Sequence, residues 1–346
     1  MCVVLSKQVK EALDFIQAIN VQEIENEQEA SRAFYEKFVP MAGDEETVFQ
    51  VKDLEIRSFD QKINVRIYRP SEGMELPAVI YFHGGWFNAG SLETHDRPLR
   101  KLANLSGAVV IAVDYRLAPE YPFPSGVNDG YGALNWVMSH AKSLGVDLKR
   151  LAIAGDSAGG ALAAVITRKA VQNQLQGILC QVLVYPVTDA SLKTASWKEF
   201  ENGPVLDFQR AVDAWNLYLT HDEDRENPDA SPLCANDLVG IPPSLIIIAE
   251  YDPLRDEAVL YAEKLQKEGV EVRQSMYHGM VHGFFQMGGV IDQGNRAIEE
   301  AAQFLVENFN ANWDEEIRIY WLPGFYRGNY NRIWGHRYSA ANCNSL

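Results

Sequence analysis

The fold class is decided by the stretch Leu151-Ala-Ile-Ala-Gly155-Asp-Ser157-Ala-Gly159-Gly-Ala161. The apolar run from Leu151 predicts a buried strand, and the alanine-rich sequence after Gly159 predicts a helix. Between them, the pattern Gly-x-Ser-x-Gly is typical of a sharp strand-to-helix turn that exposes its serine at the edge of a sheet. Gly155 and Gly159 lie two residues before and two residues after Ser157, because such a turn leaves no room for β-carbons on either side of the serine. We therefore expect an α/β fold with Ser157 as a candidate nucleophile.

Further apolar runs surround this stretch, and each has the length of a strand buried on both faces. They are Ala78–Phe82, Ala108–Val113, Ile178–Val184, Ser244–Ala249 and Val270–Met276. Helical patterns alternate with them at Asn128–Leu144, Gly159–Asn173, Asp256–Glu268 and Asn295–Phe309. Upstream, Val48–Ile56 and Ile63–Tyr68 predict an antiparallel strand pair. Together these elements predict a mostly parallel, eight-stranded sheet flanked by helices.

Two segments are expected to form a helical cap over the carboxyl edge of the sheet, where folds of this kind bind ligands. Residues 1–45 look helical, because Val9, Leu13, Ile16 and Ile19 recur at helix spacing. The residues from about 187 to 240 form a polar insertion with one amphipathic stretch, Asp207–Leu219. The predicted organisation is cap helices at 1–45, a catalytic domain at 46–309 that contains the insertion, and an extension at 310–346.

The C-terminal extension, residues 310–346, is rich in aromatic side chains. They are Trp313, Tyr320, Trp321, Phe325, Tyr326, Tyr330, Trp334 and Tyr338. Such a density of rings is suited to packing on the body of the protein, on a partner subunit or at the substrate mouth. The alternative is an extension without function, so its role stays unknown.

Composition and charge exclude several classes of function. The formal net charge of −16 over 346 residues would repel nucleic acids and anionic membranes. No apolar stretch approaches the roughly 20 residues that span a bilayer, and the N-terminus lacks the apolar region and cleavage site of a secretory leader. The four cysteines, Cys2, Cys180, Cys234 and Cys343, show no metal or disulfide spacing. We therefore expect a cytoplasmic protein.

A nucleophilic serine needs a histidine as base, which in this kind of site follows it in the chain. The histidines after Ser157 are His221, His278, His282 and His336. His282 comes just past the last predicted strand, where a loop would bring it over the serine, and His278 is its closest rival. A metal site on this pair is disfavoured, because glycines at 279 and 283 break the helix that the spacing of the two histidines requires.

The base in turn needs a carboxylate to orient it. Asp252 is the leading candidate, because it follows the apolar run Leu245–Ala249 and so lies at the carboxyl end of a strand. The nearby alternatives are Glu250, Asp256 and Glu257. Asp256 is better explained as a carboxylate in the first turn of the helix that follows.

A glycine-rich turn, His83-Gly84-Gly85-Trp86, ends the strand Ala78–Phe82. In this position such a turn supplies backbone amides to an oxyanion hole, together with the amide of the residue after the nucleophile. We expect the amides of Gly85, Trp86 and Ala158 to donate, while Gly84 helps to shape the turn.

Together these motifs resemble the hormone-sensitive-lipase-like family of carboxylesterases, which carry an HGG(G) turn and a GDSAGG elbow. Further stretches support the resemblance over residues 45–309, namely Asp114–Glu120, Tyr121–Pro124, Tyr185–Pro186, Glu250–Glu257 and Gly279–Phe284. The resemblance implies an α/β-hydrolase fold with a cap, a catalytic triad of Ser157, Asp252 and His282, no cofactor, and often a homodimer. Trp86 departs from the family, since many members have a third glycine there.

The expected reaction is the hydrolysis of short- to medium-chain carboxylic esters through an acyl-enzyme intermediate. The partner is then a small-molecule ester. Two alternatives stay open on the same fold. One is an amidase or deacetylase, because a triad does not by itself distinguish esters from amides. The other is a non-catalytic small-molecule receptor, although such receptors can lose the triad histidine that this chain keeps at His282.

Overall fold

A computed structural model describes residues 5–19 and 24–320 of the chain. The chain divides into two units after Phe309, and the first unit contains the whole sheet. Within the described ranges, no helix combines the length and the apolar character that crossing a membrane requires.

One sheet of eight strands forms the centre of the first unit, in the order β1-β2-β4-β3-β5-β6-β7-β8. The strands are β1 (Gln50–Ser58), β2 (Gln61–Arg69), β3 (Leu76–Phe82), β4 (Val109–Asp114), β5 (Val146–Asp156), β6 (Ile178–Val184), β7 (Ser244–Tyr251) and β8 (Val272–Val281). Strand β2 runs antiparallel to both β1 and β4, while the pairs from β4 to β8 are parallel. The predicted mostly parallel, eight-stranded sheet is confirmed.

The α-helices of the described residues lie between and around these strands. They are α1 (Lys7–Gln17), α2 (Glu27–Glu36), α3 (Asp96–Ser106), α4 (Ser125–Leu144), α5 (Ala158–Gln172), α6 (Ala195–Glu199), α7 (Phe208–Tyr218), α8 (Arg255–Lys267) and α9 (Asp292–Tyr320). Short 3-10 turns lie at Val39–Ala42, Asp222–Glu226, Pro232–Cys234 and Phe284–Gln286. Helix α3 is absent from the sequence prediction.

Strand β3 shows how the two faces of the sheet are covered. Ile80 and Phe82 belong to one apolar cluster and Val79 and Tyr81 to the other, since successive side chains of a strand point to opposite faces. The first cluster includes residues of α4, α5 and α8. The second includes residues of α1, α3 and α9. Burial on both faces explains why these strands are continuous apolar runs.

Several boundaries differ from the sequence prediction, and two of the differences concern the site histidines and the C-terminal extension. Strand β8 continues to Val281 instead of ending at Met276, because its pairing with β7 resumes beyond an irregularity. His278 therefore lies within a strand and not in a loop. Helix α9 runs to Tyr320 instead of ending at Phe309. The rest of the aromatic extension, residues 321–346, lies outside the described residues.

Candidate active site

Ser157 lies at the turn between β5 and α5, with backbone angles φ 54° and ψ −120°. A β-carbon at Gly155 would come within 2.2 Å of the carbonyl oxygen of Gly159. One at Gly159 would come within 2.0 Å of the carbonyl oxygen of Phe82. Both glycines are therefore required for the close approach of β3, β5 and α5. The strained backbone holds the serine at the carboxyl edge of the sheet.

His282 and Asp252 complete a hydrogen-bonded chain that begins at Ser157. Ser157 Oγ donates to His282 Nε2 over 2.9 Å, and His282 Nδ1 donates to Asp252 Oδ2 over 2.7 Å. The carboxylate is fully buried and also accepts the amide of Leu254 at 2.9 Å. Because Asp252 accepts the hydrogen bond of Nδ1–H, the ring proton stays on Nδ1 and the lone pair of Nε2 faces the serine hydroxyl. This arrangement can remove a proton from Ser157.

The rival residues are engaged elsewhere. Glu250 Oε2 accepts the amide of Gly279 at 2.7 Å and lies 3.5 Å from Nδ1 of His278, whose side chain is 78% exposed. Asp256 lies in the first turn of α8 and accepts the amide of Ser196 at 2.8 Å. The structure thus brings Asp252 and His282 to the serine and leaves these three side chains outside the hydrogen-bonded chain.

The loop after β3 lies beside the nucleophile. The amide of Gly84 donates to Asp156 Oδ1 at 3.0 Å, so this amide is not free to bind an oxyanion. In the described part of the chain, no backbone hydrogen bond uses the amides of Gly85 and Trp86. Ala158 is the first residue of α5, where an amide has no partner inside the helix. These three amides are therefore available as donors.

Trp86 and Phe87 have positive φ angles of 52° and 62°. Bulky residues seldom adopt this region, which costs on the order of 1–3 kcal/mol at each such position. Trp86 adopts this strained conformation with a large side chain, whereas many members of the family that the sequence resembles have a glycine there. The backbone amide of Trp86, a candidate oxyanion donor, therefore belongs to a strained segment.

Ser157 opens onto a cavity of about 590 Å³. One wall comes from α2 and the turn after it, with Phe34, Tyr35 and Phe38. The insertion supplies another wall, including Leu206, Ala214 and Leu217. The predicted cap segments therefore both line the cavity, whose walls are largely apolar and whose polar end holds Ser157 and His282.

Comparison with known proteins identifies the family of this chain. Residues 79–286 match the family described as having the alpha/beta hydrolase fold. The ethyl acetate hydrolase of Pseudomonas putida is 36% identical over 285 residues, covering 81% of this chain and 90% of that protein. The chain belongs to the α/β-hydrolase family.

Other relatives of this α/β hydrolase are esterases. The arylesterase of Saccharolobus solfataricus is 39% identical over 238 residues, which cover 68% of this chain and 78% of that protein. Among solved structures, a hyperthermophilic esterase from Pyrobaculum calidifontis superposes with a TM-score of 0.83 at 40% identity. The match covers 88% of this chain and 98% of that chain.

Sequence reasoning missed two aromatic residues of this α/β hydrolase that contact the site residues. The ring of Tyr185, which follows β6, lies 4.6 Å from the ring of His282 and limits its orientation. Trp197 of α6 lies 6.3 Å from Trp86, measured between ring centroids. Neither contact has a local sequence signal, because both join residues from separate parts of the chain.

Glu257, one of the rival acids, holds Trp197 in place. It is fully buried and accepts the amides of Thr188 at 2.7 Å and Asp189 at 3.2 Å. Its second oxygen accepts Trp197 Nε1 at 2.9 Å. Glu257 therefore ties the start of the insertion to α8, and its role in this α/β hydrolase is structural.

Burial raises the pKa of Glu257 from 4.5 to about 8, despite the opposing hydrogen bonds from Thr188 and Trp197. The folded state therefore binds this proton more tightly than the unfolded state, and stability falls as pH rises between those two values. Glu257→Gln removes the titration. We expect the free energy of unfolding of Glu257→Gln, measured relative to that of wild type, to rise by on the order of 4 kcal/mol as the pH increases from 4.5 to about 8. Urea titrations at a series of pH values measure this difference. Parallel pH curves for the two proteins would contradict this, and Glu263→Gln, at an exposed site on α8, is the control.

Proposed function

We propose that this α/β hydrolase is a serine esterase that cleaves short- to medium-chain carboxylic esters through an acyl-enzyme on Ser157. His282 removes the hydroxyl proton as Ser157 Oγ attacks the ester carbonyl, and it then protonates the departing alcohol. Asp252 holds the imidazole tautomer and stabilises its cation. Water, activated by the same histidine, hydrolyses the acyl-enzyme and frees Ser157.

The observation that carries this proposal is the continuous hydrogen-bonded chain from Ser157 through His282 to Asp252. It opens onto a cavity of about 590 Å³, which is within the size range of small-molecule sites. The oxyanion would be bound by the amides of Gly85, Trp86 and Ala158. Each donor of this kind contributes about 3–4 kcal/mol to the transition state. Gly84 shapes the loop through its bond to Asp156.

We also propose that the chain belongs to the hormone-sensitive-lipase-like group, on its HGG turn and GDSAGG elbow. Residues 1–45 and 187–240 are proposed as the cap, because both segments line the cavity. The unpaired Cys180 and Cys234 are consistent with a reducing compartment, and we place the enzyme in the cytoplasm. A homodimer is the assembly that the resemblance suggests.

A panel of p-nitrophenyl esters from acetyl to long acyl chains tests the proposed reaction, with matched p-nitroanilides beside it. We expect kcat/KM to be highest for the short and medium esters and much lower for the anilides. Ester and anilide turnover at equal rates would instead favour an amidase. No turnover of any ester would contradict the proposal.

Trp86 is expected to limit the length of the chain that the cavity accepts, because its indole lines the cavity beside Ser157. Trp86→Gly should raise the ratio of kcat/KM for long acyl chains to kcat/KM for short acyl chains by roughly tenfold. A change of this size is expected when the cavity gains room to contact a further methylene group of the substrate. Trp86→Phe keeps a side chain on the same backbone and should shift the ratio less. An unchanged chain-length preference in the glycine variant would contradict this role.

A further inference from the structure

The loop after β3 that carries two of the candidate oxyanion donors is a tight turn. The amides of Asn88 and Ala89 both donate to the carbonyl of Gly85, at 3.1 and 2.8 Å. Between these ends lie Trp86 and Phe87, whose positive φ angles strain the backbone. A strained turn of this kind keeps its shape only where the surrounding structure holds it. Contacts to the carbonyls of this turn therefore affect where the amides of Gly85 and Trp86 lie.

The carbonyl of Asn88, a buried residue, accepts two hydrogen bonds from side chains of α2. Gln28 Nε2 donates to it over 2.6 Å and Arg32 Nε over 2.9 Å. Residues four apart lie on one face of a helix, so α2 presents both donors to the same oxygen. The cap helix is thus bonded directly to the loop of the candidate oxyanion donors.

Arg32 also contacts a second segment that is bonded to the same loop. Its Nη2 donates to the carbonyl of Ala118 at 3.1 Å, and the amide of Ala118 donates to the carbonyl of Phe87 at 2.9 Å. The guanidinium pairs with both carboxylate oxygens of Glu120, at 3.0 and 2.6 Å. Because the guanidinium is planar and its donors are fixed in direction, one side chain links the cap helix, this segment and the loop.

Helix α2 is also a wall of the cavity, through Gln28, Phe34 and Tyr35. The hydroxyl of Tyr35 donates to Oε1 of Gln286 at 2.9 Å, in the 3-10 turn that follows His282. The helix therefore contacts the loop of the candidate oxyanion donors and the segment after the candidate base. A substrate that packs against α2 contacts the helix that holds this loop.

We propose that Arg32 is a positioning residue for the reaction at Ser157. It holds the carbonyl of Asn88 and so keeps the amides of Gly85 and Trp86 directed at the oxygen of the substrate carbonyl. Negative charge develops on that oxygen as the serine attacks, so a shift of these donors weakens the transition state more than it weakens binding of the uncharged ester. Docking of the cap helix and alignment of the oxyanion donors are therefore coupled. This inference rests on the proposed ester hydrolysis.

Arg32→Met tests this role, because methionine keeps an apolar stem but has no donor. We expect kcat for a p-nitrophenyl ester to fall by roughly tenfold to a hundredfold, while KM changes by less than about threefold. Arg273→Met is the control. Arg273 pairs with a glutamate at an exposed position, but it lies on β8 and does not line the cavity, so this variant should match wild type.

Glu120→Gln separates the bonds to the loop from the ion pair. It removes the charge that pairs with Arg32 and leaves the bonds from Arg32 to the carbonyls of Asn88 and Ala118. The carboxylate is 51% exposed, and exposed ion pairs contribute little, so we expect kcat to stay within about threefold of wild type. A loss as large as that of Arg32→Met would assign the effect to the ion pair and overturn the proposal.

Two ketones distinguish positioning of the loop from support of the cavity wall. Ser157 Oγ adds to the carbonyl carbon of a medium-chain trifluoromethyl ketone. The electron pair of the carbonyl π bond moves to the oxygen as an oxyanion, and the serine proton passes to His282. The methyl ketone of the same chain binds without this reaction. We expect Arg32→Met to weaken the affinity of the trifluoromethyl ketone by roughly the factor lost from kcat/KM, and to leave that of the methyl ketone within about threefold.

Equal weakening of the two ketones would mean that Arg32 supports only the cavity wall, which contradicts the proposal. Wild-type kcat in Arg32→Met contradicts it as well. If circular dichroism shows that Arg32→Met does not fold, Gln28→Met removes the other donor to Asn88. It should show the same selective loss at a smaller size, and an unchanged ratio of the two ketone affinities would reject the role of these bonds.

A failure of the proposed function has a different result, in which wild-type protein itself turns over no ester. In that case the affinities of the two ketones, measured by calorimetry on wild type and Arg32→Met, still report whether Arg32 positions the loop.

Discussion

Ser157→Ala is expected to lower kcat for a p-nitrophenyl ester by about 10⁴- to 10⁶-fold, because the variant lacks the hydroxyl that forms the acyl-enzyme. The substituted side chain is small and lies at a turn whose shape is fixed by the glycines on either side. The fold should therefore be unchanged, and substrate should still enter the cavity. The measurement is steady-state hydrolysis, with circular dichroism and thermal unfolding to compare the folded proteins.

Ser139→Ala is the matched control for that substitution. Ser139 is exposed on α4, and its hydroxyl donates only to the carbonyl of Asn135 within the same helix. We expect this variant to hydrolyse the ester at the wild-type rate. Activity of Ser157→Ala within tenfold of the control would mean that another group attacks the ester.

Asp252→Asn should lower kcat by about 10⁴-fold with little change in KM. The asparagine keeps the shape of Asp252, and its oxygen can still accept the amide of Leu254, which now binds Oδ1 at 2.9 Å. Its amide nitrogen, however, faces Nδ1 of His282 and donates to it. The ring then carries its proton on Nε2, where it cannot accept the proton of Ser157.

Asp256→Asn separates the two candidate acids. Asp256 accepts the amide of Ser196 and pairs with Arg255, so we expect kcat to stay within about threefold of wild type, the range of a substitution away from the reacting groups. A larger loss in Asp256→Asn than in Asp252→Asn would reassign the orienting carboxylate. Both variants should be assayed on the same ester at the same pH.

Much of the fold could be predicted because its signals are local. Strand β6 spans Ile178–Val184, the same bounds as the apolar run in the sequence, and α5 begins one residue before the predicted start at Gly159. In both elements most residues are buried, so the sequence shows a continuous run of apolar and small residues. Helix α3 is the exception, because the sequence prediction does not include it. It does carry an amphipathic pattern, since Leu99, Leu102 and Ala103 are buried on one face. Its proline, Pro98, lies in the first turn of the helix, where proline is tolerated.

The candidate site was predictable only where one segment carries the geometry. The elbow at Ser157 is such a segment. The order of the chain then limits the base to the histidines after Ser157, with His282 as the leading candidate and His278 as its rival, and Asp252 leads among the acids that follow the predicted strand Ser244–Ala249.

The packing of Tyr185 on His282, and the contact of Arg32 with Asn88, join residues from separate parts of the chain. These contacts depend on the sheet order and on side-chain burial, which a sequence without the fold does not show.

The central claim, that Ser157 becomes acylated, is tested most directly by trapping the intermediate. Wild-type protein mixed with a p-nitrophenyl ester and quenched in acid should show an intact mass increased by one acyl group. Peptide mapping should place that group on the peptide containing Ser157, and Ser157→Ala should show no such increase. An acyl group on another residue, or a burst of p-nitrophenol from Ser157→Ala equal to that of wild type, would contradict the account.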